Sequence, residues 1–255
     1  MSVSVIVITK NEEANISRCL ASVAWANEVV VVDSGSTDGT VKIARQFTPH
    51  VHVEAWHGFG PQKNLALSRA TGDWVLSLDA DEWVSEELRK ALEEIALDRS
   101  RHDAWSMPRR SSFCGRFMRH SGWWPDRVIR FFRRGKAEFS DDLVHERVVV
   151  QGTIGKLKTP LLHESYRSLD QVIEKMNLYS QLAARGMHVR GRRGSVPAAV
   201  ARGLWAFIRT YVLRAGFLDG REGFMVAVAT AETTYYRYLK LMYLAEAGRD
   251  RKPRT

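Results

Sequence analysis

Four consecutive valines, Val29–Val32, closed by Asp33, set the tightest limit on what this chain can fold into. A run that is apolar on both alternating faces belongs in a strand covered on both sides, which requires a mostly parallel sheet with helices above and below it. The flanking sequence agrees. Val3–Thr9 is a second β-branched run, and Asn15–Val23 carries apolar residues at helical spacing. Ser34-Gly35-Ser36-Thr37-Asp38-Gly39-Thr40 then supplies turn formers and helix N-caps for a helix to about Phe47. A third strand is expected over Val51–Trp56 and a helix over Gln62–Ala70 that closes at Thr71-Gly72. A fourth strand follows over Trp74–Leu78, then a helix from Ser85 to about Asp98. This alternation predicts an α/β chain with a Rossmann-like, mixed but mostly parallel sheet flanked by helices.

From Asp103 to Thr159 the pattern shortens into strands separated by basic and aromatic residues, and helical periodicity returns over Ser168–Met187, Val196–Ala215 and Phe224–Ala247. Gly191–Gly194 and Gly216–Gly223 read as the breaks between them. The expected organisation is a catalytic domain over 1–165, a C-terminal helical extension over 166–248 and a basic tail over 249–255. Within the first, 1–100 is the part where a nucleotide would bind, beyond the strand ends, and 101–165 would build a wall facing whatever else binds there. With 255 residues, 45% of them hydrophobic and 26% charged, the chain suffices for one large core with appended helices. Cys19 and Cys114 are its only cysteines and suggest neither a disulfide framework nor a zinc site. They fit a reducing cytoplasm. The apolar run from Val3 to Ile8 is too short for a signal-peptide core, and charges recur too often for a spanning helix.

The sharpest chemical signal is Asp79-Ala80-Asp81-Glu82 at the end of the fourth strand. In open α/β sheets ligands bind beyond the carboxyl ends of the strands, where Asp33 and Asp79 both fall. Two carboxylates two positions apart on extended backbone can face one side, and their repulsion is relieved by a hard cation and a diphosphate. Read alone, the pair also fits a strand end and a helix cap.

The surrounding motifs add a resemblance. Val3–Glu13, Val30–Thr40, Gln62–Asn64 and Asp73–Glu82, in that order and spacing, resemble the inverting GT-A glycosyltransferases of family 2. Trp123–Arg127, Val144-His145-Glu146 and Gly216–Gly220 extend the resemblance towards lipopolysaccharide inner-core β-1,4-glucosyltransferases. The resemblance implies a GT-A fold and transfer of a single sugar, glucose from uridine diphosphate glucose, to an inner-core glycan. It implies that Thr9, Asn11, Glu12, Asp33, Lys63 and Asp79 bind the donor nucleotide. Asp81, with Asp79 and His163, would hold Mg²⁺ or Mn²⁺. Inversion requires a general base, for which Glu146 is the first choice and Asp142 the second. Trp123, Trp124, Arg127 and His145 would meet the acceptor. The QxxRW signature of processive synthases is absent, favouring one sugar per encounter.

The formal charge of +9 calls for an anionic partner. Arg185, Arg190, Arg192 and Arg193 precede the apolar helix containing Leu204, Trp205, Phe207, Ile208, Tyr211, Val212 and Leu213, which Arg202, Arg209 and Arg214 interrupt. Such a helix suits the cytoplasmic face of the inner membrane, where a lipid-linked or lipopolysaccharide acceptor would lie, or equally a protein core with its arginines in water. Nucleic acid is not an expected partner. A non-catalytic protein binding anionic membrane or nucleic acid would leave Asp33, Asp79 and Asp81 unexplained. A nucleotidyltransferase would need a glycine-rich loop where Thr9-Lys10-Asn11-Glu12-Glu13 stands. A family 2 transferase acting on another cell-envelope glycan is the remaining alternative.

Overall fold

The structure is a computed structural model and describes residues 1–97, 101–141 and 147–250, the side chains of 248–250 excepted. In chain order the elements are β1 (Val3–Thr9), α1 (Ile16–Ala21), β2 (Glu28–Asp33), α2 (Thr40–Ala44), β3 (Val51–Val53), α3 (Phe59–Ser68), β4 (Trp74–Asp79), β5 (Glu82–Trp83) and α4 (Glu86–Leu97). Then come β6 (Ala104–Phe113), β7 (Arg116–Phe117), β8 (Asp126–Arg133), β9 (Ala137–Phe139), β10 (Val148–Val150), β11 (Ile154–Lys156) and β12 (Leu161–Tyr166). Three helices end the chain: α5 (Leu169–Val189), α6 (Val196–Ile208) and α7 (Gly220–Asp250). The residues form two compact units, 1–110 with 126–163, and 111–125 with 164–255.

In the first unit β3, β2, β1 and β4 lie side by side and parallel. The chain moves outward from β1 to β3 and returns to β4 on the other side of β1. That reversal opens a crevice at the carboxyl ends of β1 and β4. β8 joins β4 antiparallel, and β6 joins β8 antiparallel with a bulge between Trp105 and Ser106.

Alternate residues serve opposite faces of this sheet. Val5, Val7, Val31, Leu76 and Leu78 bury with α1, α2 and α4 through Ile16, Leu20, Ala44, Leu88 and Leu92. Ile6, Ile8, Val30, Val32 and Val75 bury on the other side with Ala66 and Ala70. The two faces account for the unbroken valine run, since every residue in it has an apolar neighbour. The third strand stops at Val53 instead of reaching Trp56: the Glu54 N–H still donates to Asp33 O, but Gly58, at φ 111°, turns the chain into α3. The region beyond Asp103 contains one long strand, β6, as well as short ones.

The second unit is a helical assembly in which α5 and α6 each pack on α7. Ser168 and Ser195 cap α5 and α6 by accepting the N–H groups of Gln171 and Ala198. The segment 111–125 groups with these helices. Phe113 and Met118 bury against Val172 and Val226, and the Asp219 carboxylate accepts the N–H groups of Arg119 and His120. The expected break over Gly216–Gly223 is shorter than its glycines suggest. After a π-helical turn, Arg209–Leu213, and a 3-10 turn, Gly216–Asp219, α7 already begins at Gly220. Gly223 lies inside the helix because a Cβ there would stand 1.9 Å from Gly216 O.

Gly223→Ala should therefore lower stability by about 1–3 kcal/mol in urea unfolding, because a backbone carbonyl blocks the added methyl. Gly186→Ala, in α5, where the nearest atom to a new Cβ is the Arg190 guanidinium at 3.6 Å, should be neutral or stabilise by up to about 1 kcal/mol.

Candidate active site

The parallel register places three polar side chains along one rim of the first unit: Thr9 lies opposite Asp33, and Ile8 opposite Asp79. The loops leaving β1 and β2 are braced to each other. Asn11, held at φ 53°, accepts the Thr37 N–H at 2.8 Å and donates its own N–H to Ser36 Oγ at 2.8 Å. The Glu12 N–H donates to Thr40 Oγ1, and Glu13 accepts the Gly39 N–H. Asp33 is fully buried, and its carboxylate accepts the N–H groups of Gly35 and Ser36 and the Ser36 hydroxyl. In this arrangement Asp33 shapes the loop that follows it, and Asn11 and Glu12 fix the loop's distance from β1.

The expected common orientation of Asp79 and Asp81 is corrected by the backbone. Ala80 and Asp81 form a turn instead of continuing the strand, and the two carboxylates find different partners. Asp79 is bound at Oδ1 by Lys63 Nζ, 2.9 Å away, and at Oδ2 by Arg130 Nη2. Burial alone would raise the Asp79 carboxyl, but Arg130 and Lys63 outweigh it and hold it well below the usual carboxylate range. Lys63, with its side chain 2% exposed, is a buried counter-ion of Asp79 and does not extend towards solvent as a free cation would.

Glu82 completes the brace. Its side chain is fully buried, accepts the Asp79 N–H at 3.0 Å, and pairs with Arg130 at 2.7 Å and Arg109 at 3.3 Å. Arg109 also binds Asp126 at 2.7 Å. Three carboxylates thus meet three cations. Asp81 lies apart from these pairs, its Oδ2 3.3 Å from His163 Nε2. Both side chains keep some access to solvent, at 20% and 12% exposure.

Among the described residues no group of three or more His, Cys, Asp or Glu side chains could hold a metal ion. Asp79 is occupied on both oxygens, which leaves Asp81 and His163 as two convergent donors, one oxygen and one imidazole nitrogen. That set fits a small divalent cation whose remaining positions are filled by water and phosphate oxygens. Thr9 Oγ1, Gln62 Oε1 and Arg130 Nε are buried at this rim without a hydrogen-bond partner. Such atoms are uncommon in folded proteins.

Trp123 belongs to the second unit, where its ring centroid is 5.9 Å from Phe113 and 6.0 Å from Tyr166 in a largely buried cluster. Trp124, half-buried, precedes Pro125 through a cis peptide bond. Arg127 donates from Nη2 to the carbonyls of Ser106 and Leu157, so its guanidinium ties β6 to the segment after β11. Asp142, His145 and Glu146 lie outside the described residues. Arg130, Glu82 and Arg109 were not among the residues expected from sequence. The available signal was Arg130 itself, a lone charge in the apolar run Val128-Ile129-Arg130-Phe131-Phe132, which had to be buried with a counter-ion.

The family model for glycosyl transferase family 2 matches residues 4–149. A glycosyltransferase of Rickettsia typhi is 32% identical over 97% of this chain and 89% of its own length. The lipopolysaccharide core biosynthesis glycosyltransferase LpsC of Rhizobium meliloti is 30% identical over 93% of each chain. The crystal structure of S. aureus TarS 1-349 in complex with UDP-GlcNAc aligns at a TM-score of 0.48 and 17% identity, over 98% of this chain and 92% of that one.

Replacing Asp79 by Asn leaves the buried Lys63 and Arg130 short of a counter-ion and should cost about 2–4 kcal/mol at pH 7. Because the folded-state value is depressed, the stability that Asp79 contributes is complete above its unfolded pKa of about 3.9 and is lost as pH falls further towards the folded value. Urea midpoints of wild type and Asp79→Asn should therefore differ widely at neutral pH and converge below about pH 4.

Proposed function

The chain belongs to glycosyl transferase family 2 and is a glycosyltransferase with the GT-A fold, and from that premise we propose a specific reaction. It transfers a single glucose, with inversion, from uridine diphosphate glucose to a glycan of the lipopolysaccharide inner core, with Mg²⁺ or Mn²⁺ held by Asp81 and His163. The observation that carries the proposal is the divergence of the two aspartates: Asp79 is held by Lys63 and Arg130, and Asp81 is left beside His163.

The leaving group is a nucleoside diphosphate, whose charge grows as the bond from the sugar C1 to oxygen breaks. A bound divalent cation supplies electrostatic stabilisation to that group. The chain's own residues provide the frame. Glu82, anchored by Arg130 and Arg109, accepts the Asp79 N–H and so fixes the turn that carries Asp81. Thr9, Asn11, Glu12 and Asp33 are assigned to the nucleoside pocket. Lys63 acts through Asp79, as a positioning residue. Glu146, or Asp142 in its place, takes the proton from the acceptor hydroxyl as that oxygen attacks C1 from the opposite face. His145, Trp123, Trp124 and Arg127 are assigned to the acceptor side.

Likeness to LpsC along most of both chains supports a lipopolysaccharide core acceptor. Such an acceptor is lipid-borne, which sets the reaction at the cytoplasmic face of the inner membrane. No helix among the described residues is long and apolar enough to cross a membrane, so a surface-bound chain fits the reading.

The test is release of nucleoside diphosphate from a panel of nucleotide sugars, with and without Mn²⁺ or Mg²⁺, by wild type and Asp81→Ala, supplied with deep-truncated lipopolysaccharide. One donor, uridine diphosphate glucose, should be consumed with metal present, and Asp81→Ala should lower kcat by about 10²–10³-fold. Turnover that persists in chelator, or an Asp81→Ala enzyme as fast as wild type, would overturn the metal assignment. Turnover only with another cell-envelope glycan would replace the acceptor.

A further inference from the structure

Between Glu174 and Asp219 the sequence contains no acidic residue, yet it holds Lys175 and seven arginines, at 185, 190, 192, 193, 202, 209 and 214. These eight cations nearly equal the excess of nine for the whole chain, 38 basic against 29 acidic residues. The net charge is therefore concentrated in the stretch 175–218, from the later part of α5 through α6 to the turns that follow.

Helix α6 is also inverted relative to an ordinary surface helix, which buries its large apolar residues and shows polar ones to water. It buries Ala199, Gly203 and Ala206. Gly203 lets it approach α7 so closely that a Cβ there would stand 3.3 Å from Ala231 O. Its outer stripe consists of Val196, Val200, Leu204 and Ile208 at four-residue spacing, all between 43% and 61% exposed, with Trp205 beside them at 56%. Residues three and four apart are neighbours on a helix, so Leu204 and Ile208 continue to Phe207 and Tyr211. The Tyr211 ring in turn contacts Phe217 and Phe224. A continuous apolar face therefore runs along α6 and past its π-helical end, in the most cationic segment of the chain.

We propose that this face docks the protein on an anionic phospholipid surface, with α6 lying in the plane of the interface and its arginines on phosphate headgroups. Arg209 and Arg214 are exposed along the same stretch, whereas the Arg202 guanidinium packs over the Tyr238 ring of α7, and long arginine stems cover apolar surface while their heads reach polar groups. The charge selects the occupant. Two copies of this chain would bring eight cations against eight, whereas an anionic bilayer offers the opposite charge and an apolar interior at once. The inference is independent of which sugar is transferred, because it is read as binding and not as turnover.

The experiment is co-sedimentation of the full chain with vesicles of phosphatidylcholine alone and of phosphatidylcholine mixed with phosphatidylglycerol, with circular dichroism as the control for folding. Wild type should bind the mixed vesicles and release on addition of salt. R190Q/R192Q/R193Q should lower the partition coefficient by about a hundredfold, and L204S/I208S by at least about tenfold. A folded wild type that stays in the supernatant with both vesicle types, or that binds both equally, would overturn the proposal. So would a dimer in sedimentation equilibrium that L204S/I208S converts to monomer, since the face would then belong to a second copy.

Discussion

The first unit depends on keeping three buried or half-buried cations paired. Arg130 lies inside an apolar strand and Lys63 is buried in the middle of α3, and an unpaired charge in either place costs several kcal/mol. Asp79 and Glu82 answer both, and Arg109 with Asp126 extends the pairing to β6 and the start of β8. Such networks often contribute little net stability compared with an apolar core. What this one provides is position. With Glu82 anchored and accepting the Asp79 N–H, the intervening turn has little freedom, and Asp81 is presented beside His163.

That arrangement gives the two aspartates separate tasks. Asp79 joins β4 to α3 and β8, and Asp81 supplies a partly exposed carboxylate oxygen. Drawing both residues onto one cation would take Asp79 from Lys63 and from one of the two carboxylates that Arg130 binds, so the buried cations favour the division.

The parallel core was legible because its signals are local. The Val29–Val32 run implied two covered faces, and alternate residues of β1, β2 and β4 divide between them as that run requires. Asp33 and Asp79 were placed correctly at strand ends for the same reason. Contacts between distant segments were not legible. Arg130 meets Asp79 across 51 residues, and Asn64 clamps both backbone groups of Phe139 across 75. Nothing near Asp79 or Asn64 announces either partner. The turn at Ala80-Asp81 was missed because it is imposed by Glu82 from its buried site and not by a turn-forming sequence. The change of unit between Trp123 and Arg127 likewise has no signal in the sequence around them. The charge distribution separates the units too: the cations around Asp79 are paired with acids, and those between Glu174 and Asp219 have none within their segment.

The central claim is that Asp81 and His163 form half of a divalent-metal site that a nucleoside diphosphate completes. Electron paramagnetic resonance of Mn²⁺ tests it directly, since the sharp six-line spectrum of the free ion diminishes on binding. The account predicts little loss of that signal with protein alone or in Asp81→Ala, and strong loss when wild type and uridine diphosphate are present together, beyond that caused by the nucleotide alone. Tight uptake of Mn²⁺ without nucleotide, or an equally strong loss of signal with Asp81→Ala and nucleotide together, would contradict it.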